Sequence, residues 1–143
     1  MALHALLHMN EMGRVVTSET LASMVMTNPV VVRRTMAGLR DAGIVLSEKG
    51  HGGGWSLARR LESVTLGDVY DALGTPTLFG IGHRTESPGC LVEQAVNRAL
   101  GKALSEAESL LLKQLRSISV AHLAADVRRT LPRSAQKRDK AHV

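Results

Sequence analysis

The residues best suited to chemistry are two adjacent arginines, Arg33 and Arg34, near the start of a predicted helix. A planar guanidinium group can donate two hydrogen bonds to guanine O6 and N7, or it can bind a phosphate. The residues before them offer backbone N–H groups and short side chains that suit a phosphate or a thymine methyl group; they are Thr27, Asn28, Pro29, Val30 and Val31. The stretch predicts contact with DNA, and which arginine reads a base stays open. The alternative is a solvated helix face, with capping and packing as the role of the other residues.

A second group of candidates follows a short apolar strand predicted over residues 44–46. Here a lysine and a histidine alternate with glycines until Trp55 resumes an extended pattern. Glycine adopts positive φ angles and lets the backbone approach a phosphate closely. The pattern predicts a two-stranded wing whose tip contacts DNA through Lys49, His51, Gly52 and Gly53. A nucleotide-binding loop is excluded, because Gly-Lys-Ser/Thr is absent and no helix follows the turn.

The residues after the wing tip have two predicted roles, which are packing on the domain and contact with phosphate. We expect Trp55 to anchor the wing on the domain rather than to stack on a base. Arg59 and Arg60 leave the wing and are predicted to contact the DNA backbone, whose phosphates attract cations.

Histidine and cysteine give little support for a metal site. His4 and His8 are spaced i, i+4 and could share a metal, but no third ligand is near, so we expect none. His83, Glu86 and Cys90 lie in or beside a predicted loop, and one thiol per chain cannot hold a cluster alone. Cys90 begins a predicted helix and is a candidate redox sensor, with a plain buried cysteine as the alternative. No catalytic triad, carboxylate pair or cofactor fingerprint is present, so we predict no enzyme, no cofactor and no metal.

Three short helices must position the arginines. The first is predicted over 1–12 and the second over 18–25, capped by Thr17 or Ser18. The third starts at Pro29 after Asn28, and it ends at Gly43. Its apolar positions recur at helical spacing and should face a core; they are Val32, Met36 and Leu39. Two helices joined by about three residues make a helix-turn-helix.

The second half of the chain is predicted to be helical as well. Thr65 caps a fourth helix that ends at Gly74, and residues 74–89 form a loop rich in Gly and Pro. A helix runs from Cys90 to about residue 100, Gly101 is a predicted break, and further helical segments extend to residue 127. Their apolar faces exceed what one small domain can cover, which predicts a helical dimer interface.

Composition narrows the class of protein. Residues 1–60 carry seven Lys/Arg and four Asp/Glu, residues 61–127 carry five and eight, and the last sixteen carry six and one. A basic half suits phosphate, and the acidic half should face away from DNA. No apolar run is long enough to span a membrane and no secretion signal is recognisable, and a single cysteine fits a reducing cytoplasm.

The motifs N-P-V-V-V-R-R, G-H-G-G-G-W-x-L-A-R and T-L-G-D-V-Y-D-A-L occur in this order, with one cysteine after a loop. In this the chain resembles the Rrf-type winged-helix transcriptional regulators, relatives of the iron–sulfur cluster regulator and the nitric-oxide-sensitive repressor. The resemblance implies a homodimer whose recognition helices enter successive major grooves of a palindromic operator. Cluster-binding members carry three closely spaced cysteines, so this chain resembles the cluster-free branch. His51 and Trp55 also depart from the common wing pattern, which has Pro and Tyr or Phe.

The sequence thus predicts a mostly α fold with a small β-wing. The expected organisation is a winged helix-turn-helix domain (1–60), a connecting helix and loop that could sense a signal (61–89), dimerisation helices (90–127) and a disordered basic tail (128–143). The predicted function is a cytoplasmic, homodimeric DNA-binding regulator, more specifically a repressor, open to control by a small molecule or a redox signal. The alternative is a protein-interaction adaptor that uses a winged helix without sequence-specific DNA binding.

Overall fold

Local sequence signals set the start of most helices. The computed structural model describes residues 1–50, 52–79 and 89–130, with 128 and 130 for their backbone only. At the start of the second helix, Thr17 Oγ1 accepts a hydrogen bond from the Thr20 N–H at 3.2 Å. Asn28 Oδ1 accepts one from the Val31 N–H at 3.0 Å. Thr65 and Asp68 form a reciprocal capping box. These side chains satisfy backbone donors that a helix start leaves without partners, and all three predicted caps are confirmed.

The described residues form six α-helices, one two-stranded antiparallel sheet and one 3₁₀ turn. The fold is therefore mostly α with a small β-wing, as the sequence predicts. The elements in chain order are α1 (Ala2–Met12), α2 (Ser18–Met24), α3 (Pro29–Asp41), β1 (Val45–Glu48), β2 (Gly54–Leu57), the 3₁₀ turn (Leu61–Ser63), α4 (Leu66–Ala72), α5 (Leu91–Ser117) and α6 (Val120–Thr130).

One hydrophobic core unites α1, α2, α3 and the wing. The predicted stripe of α3 is confirmed, because Val32, Met36 and Leu39 are fully buried. Leu6 and Met9 enter the same core from α1, and the core ends of the wing strands close it. Buried apolar surface of this kind is the main source of folding free energy. Val69 of α4 and Val120 of α6 belong to the same core, so later elements of the chain help to hold α3 in place.

The wing is anchored by Trp55, as predicted. β1 and β2 pair in register from Val45 with Leu57 to Glu48 with Gly54. Val16 forms a bridge with Trp55, with each N–H 2.9 Å from the other's carbonyl oxygen. The indole Nε1 of Trp55 donates a hydrogen bond to Ser18 Oγ at 2.9 Å and the ring is buried. A side chain at Gly54 would overlap the Val16 carbonyl, so only glycine fits this approach.

Helix α5 corrects one prediction, because it runs unbroken through Gly101. Glycine inside a helix costs only about 1 kcal/mol relative to alanine. The neighbouring Lys, Ala and Leu residues are strong helix formers that offset this cost. The helix therefore continues for 27 residues instead of ending near residue 100.

The ends of α5 and α6 are attached to the first half of the chain. The Arg116 side chain lies against Gly67 of α4, and Arg116 pairs with Asp71 at 3.4 Å. Beyond it, the Val120 N–H donates to the Val64 carbonyl at 2.7 Å and the Val120 side chain is part of the core. α6 thus packs on the 3₁₀ turn and α1.

Three predictions fall partly on residues that the structure does not describe. Residues 80–88 of the predicted loop, His51 of the wing tip and residues 131–143 of the predicted tail lie outside the described residues. Within the described part, no helix is both long enough and apolar enough to cross a membrane.

Candidate nucleic-acid interface

The free face of α3 is fixed by the face that it buries. With 3.6 residues per turn, Arg34 lies about 200° around the helix axis from the buried Val32, directly opposite the core. Val30 is one turn earlier on the same outward side and is 69% exposed. Arg33 lies only about 100° from Val32, on the flank of the helix. The outermost position in this part of α3 therefore belongs to Arg34.

The two arginines differ in their partners as well as in their direction. Arg33 donates a hydrogen bond to Glu19 in the first turn of α2, so its guanidinium ties the two helices of the motif together. For Arg34, no hydrogen bond or ion pair to another described residue is found. Its five N–H donors are available to an external acceptor. The structure distinguishes two residues that the sequence could not rank.

The turn before α3 presents apolar side chains to solvent. Thr27 is half-buried and its N–H donates to the Ala22 carbonyl at 2.9 Å, which closes the turn. Met26 is 93% exposed and has φ +53°, and Val31 is 41% exposed. Sequence reasoning missed Met26. The available signal was that no glycine occupies the end of α2, although Gly13, Gly43 and Gly74 follow other helices.

The wing tip presents Lys49 beyond the end of β1, where its side chain is exposed. Gly52 adopts φ +83°, a region that glycine enters without strain. Gly53 is required for a different reason than phosphate contact, because a Cβ there would overlap the Glu48 carbonyl oxygen. Part of the glycine pattern is therefore explained by the tight hairpin itself, and phosphate contact by the tip stays a prediction.

Arg59, the first arginine after the wing, lies near the C-terminal end of α3 and not at its start. Arg59 lines an open cleft of about 460 Å³ at the C-terminal end of that helix. Three carboxylates line the same cleft, from Asp41, Asp68 and Asp71. Asp41 is paired with Arg40 and Asp71 with Arg116, so the charges of this cleft give no argument for or against a phosphate contact. The contact stays a prediction.

Arg60 is held beside Glu62. Its guanidinium nitrogens lie 3.4 Å from the Glu62 carboxylate oxygens, and this hydrogen bond lowers the pKa of that carboxyl below its usual value. Both side chains are exposed, so the pair is weak and a phosphate could displace it. The predicted backbone contact of Arg60 stays a prediction too.

A match to the Rrf2 family covers residues 1–126, and the family is described as an iron-dependent transcriptional regulator. The chain belongs to the Rrf2 family. One relative is YwnA of Bacillus subtilis, a protein named as an HTH-type transcriptional regulator. It is 31% identical over 119 residues, which are 83% of this chain and 88% of YwnA.

Two solved structures share the fold of this chain. A protein from Lactobacillus plantarum, named as a transcriptional regulator, superposes with a TM-score of 0.77 at 23% identity, over 97% of this chain and 95% of its own. IscR of T. potens superposes with a TM-score of 0.64 at 19% identity, over 92% and 87% of the two chains. These likenesses confirm the winged-helix fold that the sequence predicts.

Membership of the Rrf2 family decides between the two functions that the sequence left open. The family and YwnA are transcriptional regulators, so the chain is a DNA-binding transcriptional regulator rather than an adaptor that only uses the winged-helix shape. A helix-turn-helix is the element with which many regulators of this class dock on DNA.

The Rrf2 description includes iron dependence, and one thiol per chain cannot hold an iron–sulfur cluster alone. An iron–sulfur cluster is held by several thiolates, and the sequence has one cysteine. Cys90 is exposed at the N-terminal end of α5, so the plain buried cysteine of the alternative reading is not what the structure has. His4 and His8 contact each other at 2.9 Å between their Nε2 atoms. Across the described ranges, no three His, Cys, Asp or Glu residues are grouped to hold a metal ion.

Proposed function

We propose that the protein acts in the cytoplasm as a homodimeric repressor that binds a palindromic promoter site. In this proposal the two copies of α3 enter successive major grooves, and the bound dimer competes with RNA polymerase. Arg34 reads a base, and Arg33 positions α3 through its pair with Glu19. The observation that carries the proposal is the exposure of α5, which has 27 residues and no buried side chain.

The exposed surface of α5 is suited to a second copy of itself. Six of its exposed apolar residues fall within an arc of roughly 80° when the helix is viewed along its axis. Small residues at the centre of this arc let two helix backbones approach closely. The α5 stripe consists of Val92, Val96, Ala99, Ala103, Ala107 and Leu110, all of them exposed. An apolar stripe of this length on a single chain has a natural partner in the same stripe of another copy.

The mass of the protein in solution tests the dimer. Sedimentation velocity at micromolar concentration should give twice the chain mass of 15.4 kDa. Ala103→Asp places a carboxylate in the middle of the α5 stripe, where burying it without a partner is costly, and should give monomers. Ser105→Asp adds the same charge about 200° away on the same helix and should leave the dimer intact. A monomeric parent protein, or two variants with equal masses, would contradict the dimer.

Selection of duplexes from a random pool tests the operator. We expect an enriched sequence with two-fold symmetry, weak binding to a single half-site, and affinity that falls steeply with salt because phosphate contacts release counterions. The Ala103→Asp variant should bind the full site and a single half-site with the same affinity. Run-off transcription from a template carrying the site should fall when the protein is added. An asymmetric site would contradict the palindrome, and an increase in transcript would contradict repression.

A redox response through Cys90 is the further part of this proposal. The thiol is exposed at the N-terminal end of α5, next to the region predicted to sense a signal. Treatment with hydrogen peroxide should change the affinity of the parent protein for its selected duplex and leave Cys90→Ser unchanged. An equal response of both proteins would exclude Cys90 as the sensor, and the rest of the loop would remain a candidate for a small-molecule effector.

A further inference from the structure

The end of helix α2 has an unusual residue at a position that normally takes glycine. The Thr27 N–H donates to the Ala22 carbonyl at 2.9 Å. This is the six-residue closure of a Schellman turn, which places the residue before the last donor in the left-handed region. That residue is Met26, with φ +53°.

The same turn occurs at two other helix ends of this chain, each time with glycine. At the end of α3, the Ile44 N–H donates to the Leu39 carbonyl at 2.9 Å around Gly43, with φ +68°. At the end of α4, the Thr75 N–H donates to Tyr70 at 3.3 Å around Gly74, with φ +82°. A residue with a Cβ is strained in this region and glycine is not. Met26 is therefore the one residue with a Cβ at the left-handed position of these three described turns.

Packing within the chain does not compensate for this strain. The Met26 side chain is 93% exposed, more than any other large hydrophobic side chain that the structure describes. A strained backbone and an unburied apolar side chain both disfavour methionine in the isolated chain. Such a combination is retained where the side chain serves an external partner.

The surroundings of Met26 indicate what that partner is. The next exposed apolar side chains are Val30 and Val31 in the first turn of α3, followed by the outward Arg34. Apolar side chains in the turn and first helical turn that lead to a cation match the major groove, where thymine offers a C5-methyl group beside phosphates and polar base edges. A flexible, polarisable thioether adapts well to such a contact.

We propose that Met26 contacts the C5-methyl group of a thymine in the operator, and that the strained turn keeps a methionine for this reason. The inference rests on the proposed entry of α3 into the major groove. It adds an apolar base contact, contributed by the turn itself, to the contacts of the arginine.

Replacement of thymine by deoxyuridine tests this contact, because uracil lacks only the methyl group. In a duplex selected by the parent protein, each thymine is replaced in turn. At one position per half-site the affinity of the parent protein should fall about five-fold, in the range of a single base contact. Met26→Gly should bind the unmodified duplex about five-fold more weakly and should be insensitive to the same replacement.

Two further variants separate the contact from the shape of the turn. Met26→Asn tolerates the left-handed conformation without the extra freedom of glycine, and it should lose the same affinity. Thr75→Gly removes a left-handed non-glycine residue elsewhere, φ +47°, and should leave DNA affinity unchanged. Met26→Gly should also raise the melting temperature by about 2–4 °C as the strain is relieved.

The outcomes distinguish this inference from the proposed function. If the parent protein selects a duplex but every thymine replacement affects it and Met26→Gly equally, the Met26 contact is overturned and DNA binding stands. Unchanged affinity of Met26→Gly would overturn it as well. If the parent protein enriches no sequence at all, the proposed operator binding itself fails.

Discussion

Helices α3 and α5 are both amphipathic, but the apolar face of α3 is buried and that of α5 is exposed. In α3, the stripe of Val32, Met36 and Leu39 is fully buried against its own chain. In α5, no residue is buried and the stripe around Ala103 is exposed. Amphipathic spacing thus specifies that a helix has a face to cover, and says nothing about whether the cover comes from the same chain.

The contrast also separates two tasks. α3 is held rigidly by the core, so its opposite face can present Arg34 in a defined direction. The C-terminal end of α5 is attached to the rest of the chain, where Arg116 lies against Gly67. Most of the residues of α5 are exposed. The domain that carries Arg34 and the proposed dimerisation helix are thus joined through α4.

The largest expected effect tests whether packing in the core fixes α3. Leu39→Ala should lower the free energy of unfolding by about 2–5 kcal/mol, because a fully buried leucine leaves a cavity when truncated. Urea denaturation monitored by Trp55 fluorescence measures this loss. Leu46→Ala, at a side chain that is 54% exposed, is the matched control and should change stability by less than about 0.5 kcal/mol. Similar losses in both variants would show that α3 is not fixed by its core.

The next effect concerns the free face of α3. Arg34→Ala should weaken binding to the selected duplex by about 1–3 kcal/mol, as expected for loss of a base contact. Arg33→Ala should cost less than about 1 kcal/mol, because its exposed pair with Glu19 contributes little. Fluorescence anisotropy at fixed salt measures both. A larger loss for Arg33 than for Arg34 would reverse the roles assigned to them.

A smaller effect is expected where α4 joins α5. Gly67→Ala places a methyl group against Arg116 Cγ, and the resulting overpacking should cost about 1–2 kcal/mol. Adding Arg116→Ala removes the obstructing side chain and should recover part of this loss. Thermal unfolding of the two variants and the double variant measures the coupling. Additive losses would mean that the two residues do not share this contact.

The smallest effect tests whether α5 is covered by a second copy. For a dimer that unfolds to monomers, a hundredfold increase in protein concentration should raise the melting temperature by a few degrees. Ser105→Asp should keep this dependence and Ala103→Asp should lose it. If the melting temperature of the parent protein stays constant across this range, the proposed pairing of two α5 stripes is contradicted.

Much of the first half of the fold could be predicted from sequence, because its determinants are local. Asn28 and Pro29 start α3, the i, i+4, i+7 spacing identifies its buried stripe, and Trp55 marks the wing anchor. The break at Gly101 was predicted wrongly, since a glycine penalty of about 1 kcal/mol is small against the propensity of its neighbours. The return of α6 to the core through Val120 depends on contacts far apart in sequence.

For the candidate site, the sequence by itself determined the residue types: cations and short side chains at the start of α3, a glycine-rich wing and one cysteine. Only the tertiary structure decided their roles. It turned Arg33 toward Glu19 and left Arg34 outward, placed Arg59 among carboxylates, and put Met26 in a left-handed turn. The physical reason is that composition and spacing fix what a side chain can bind, whereas its direction and its competing partners arise only when distant segments pack together.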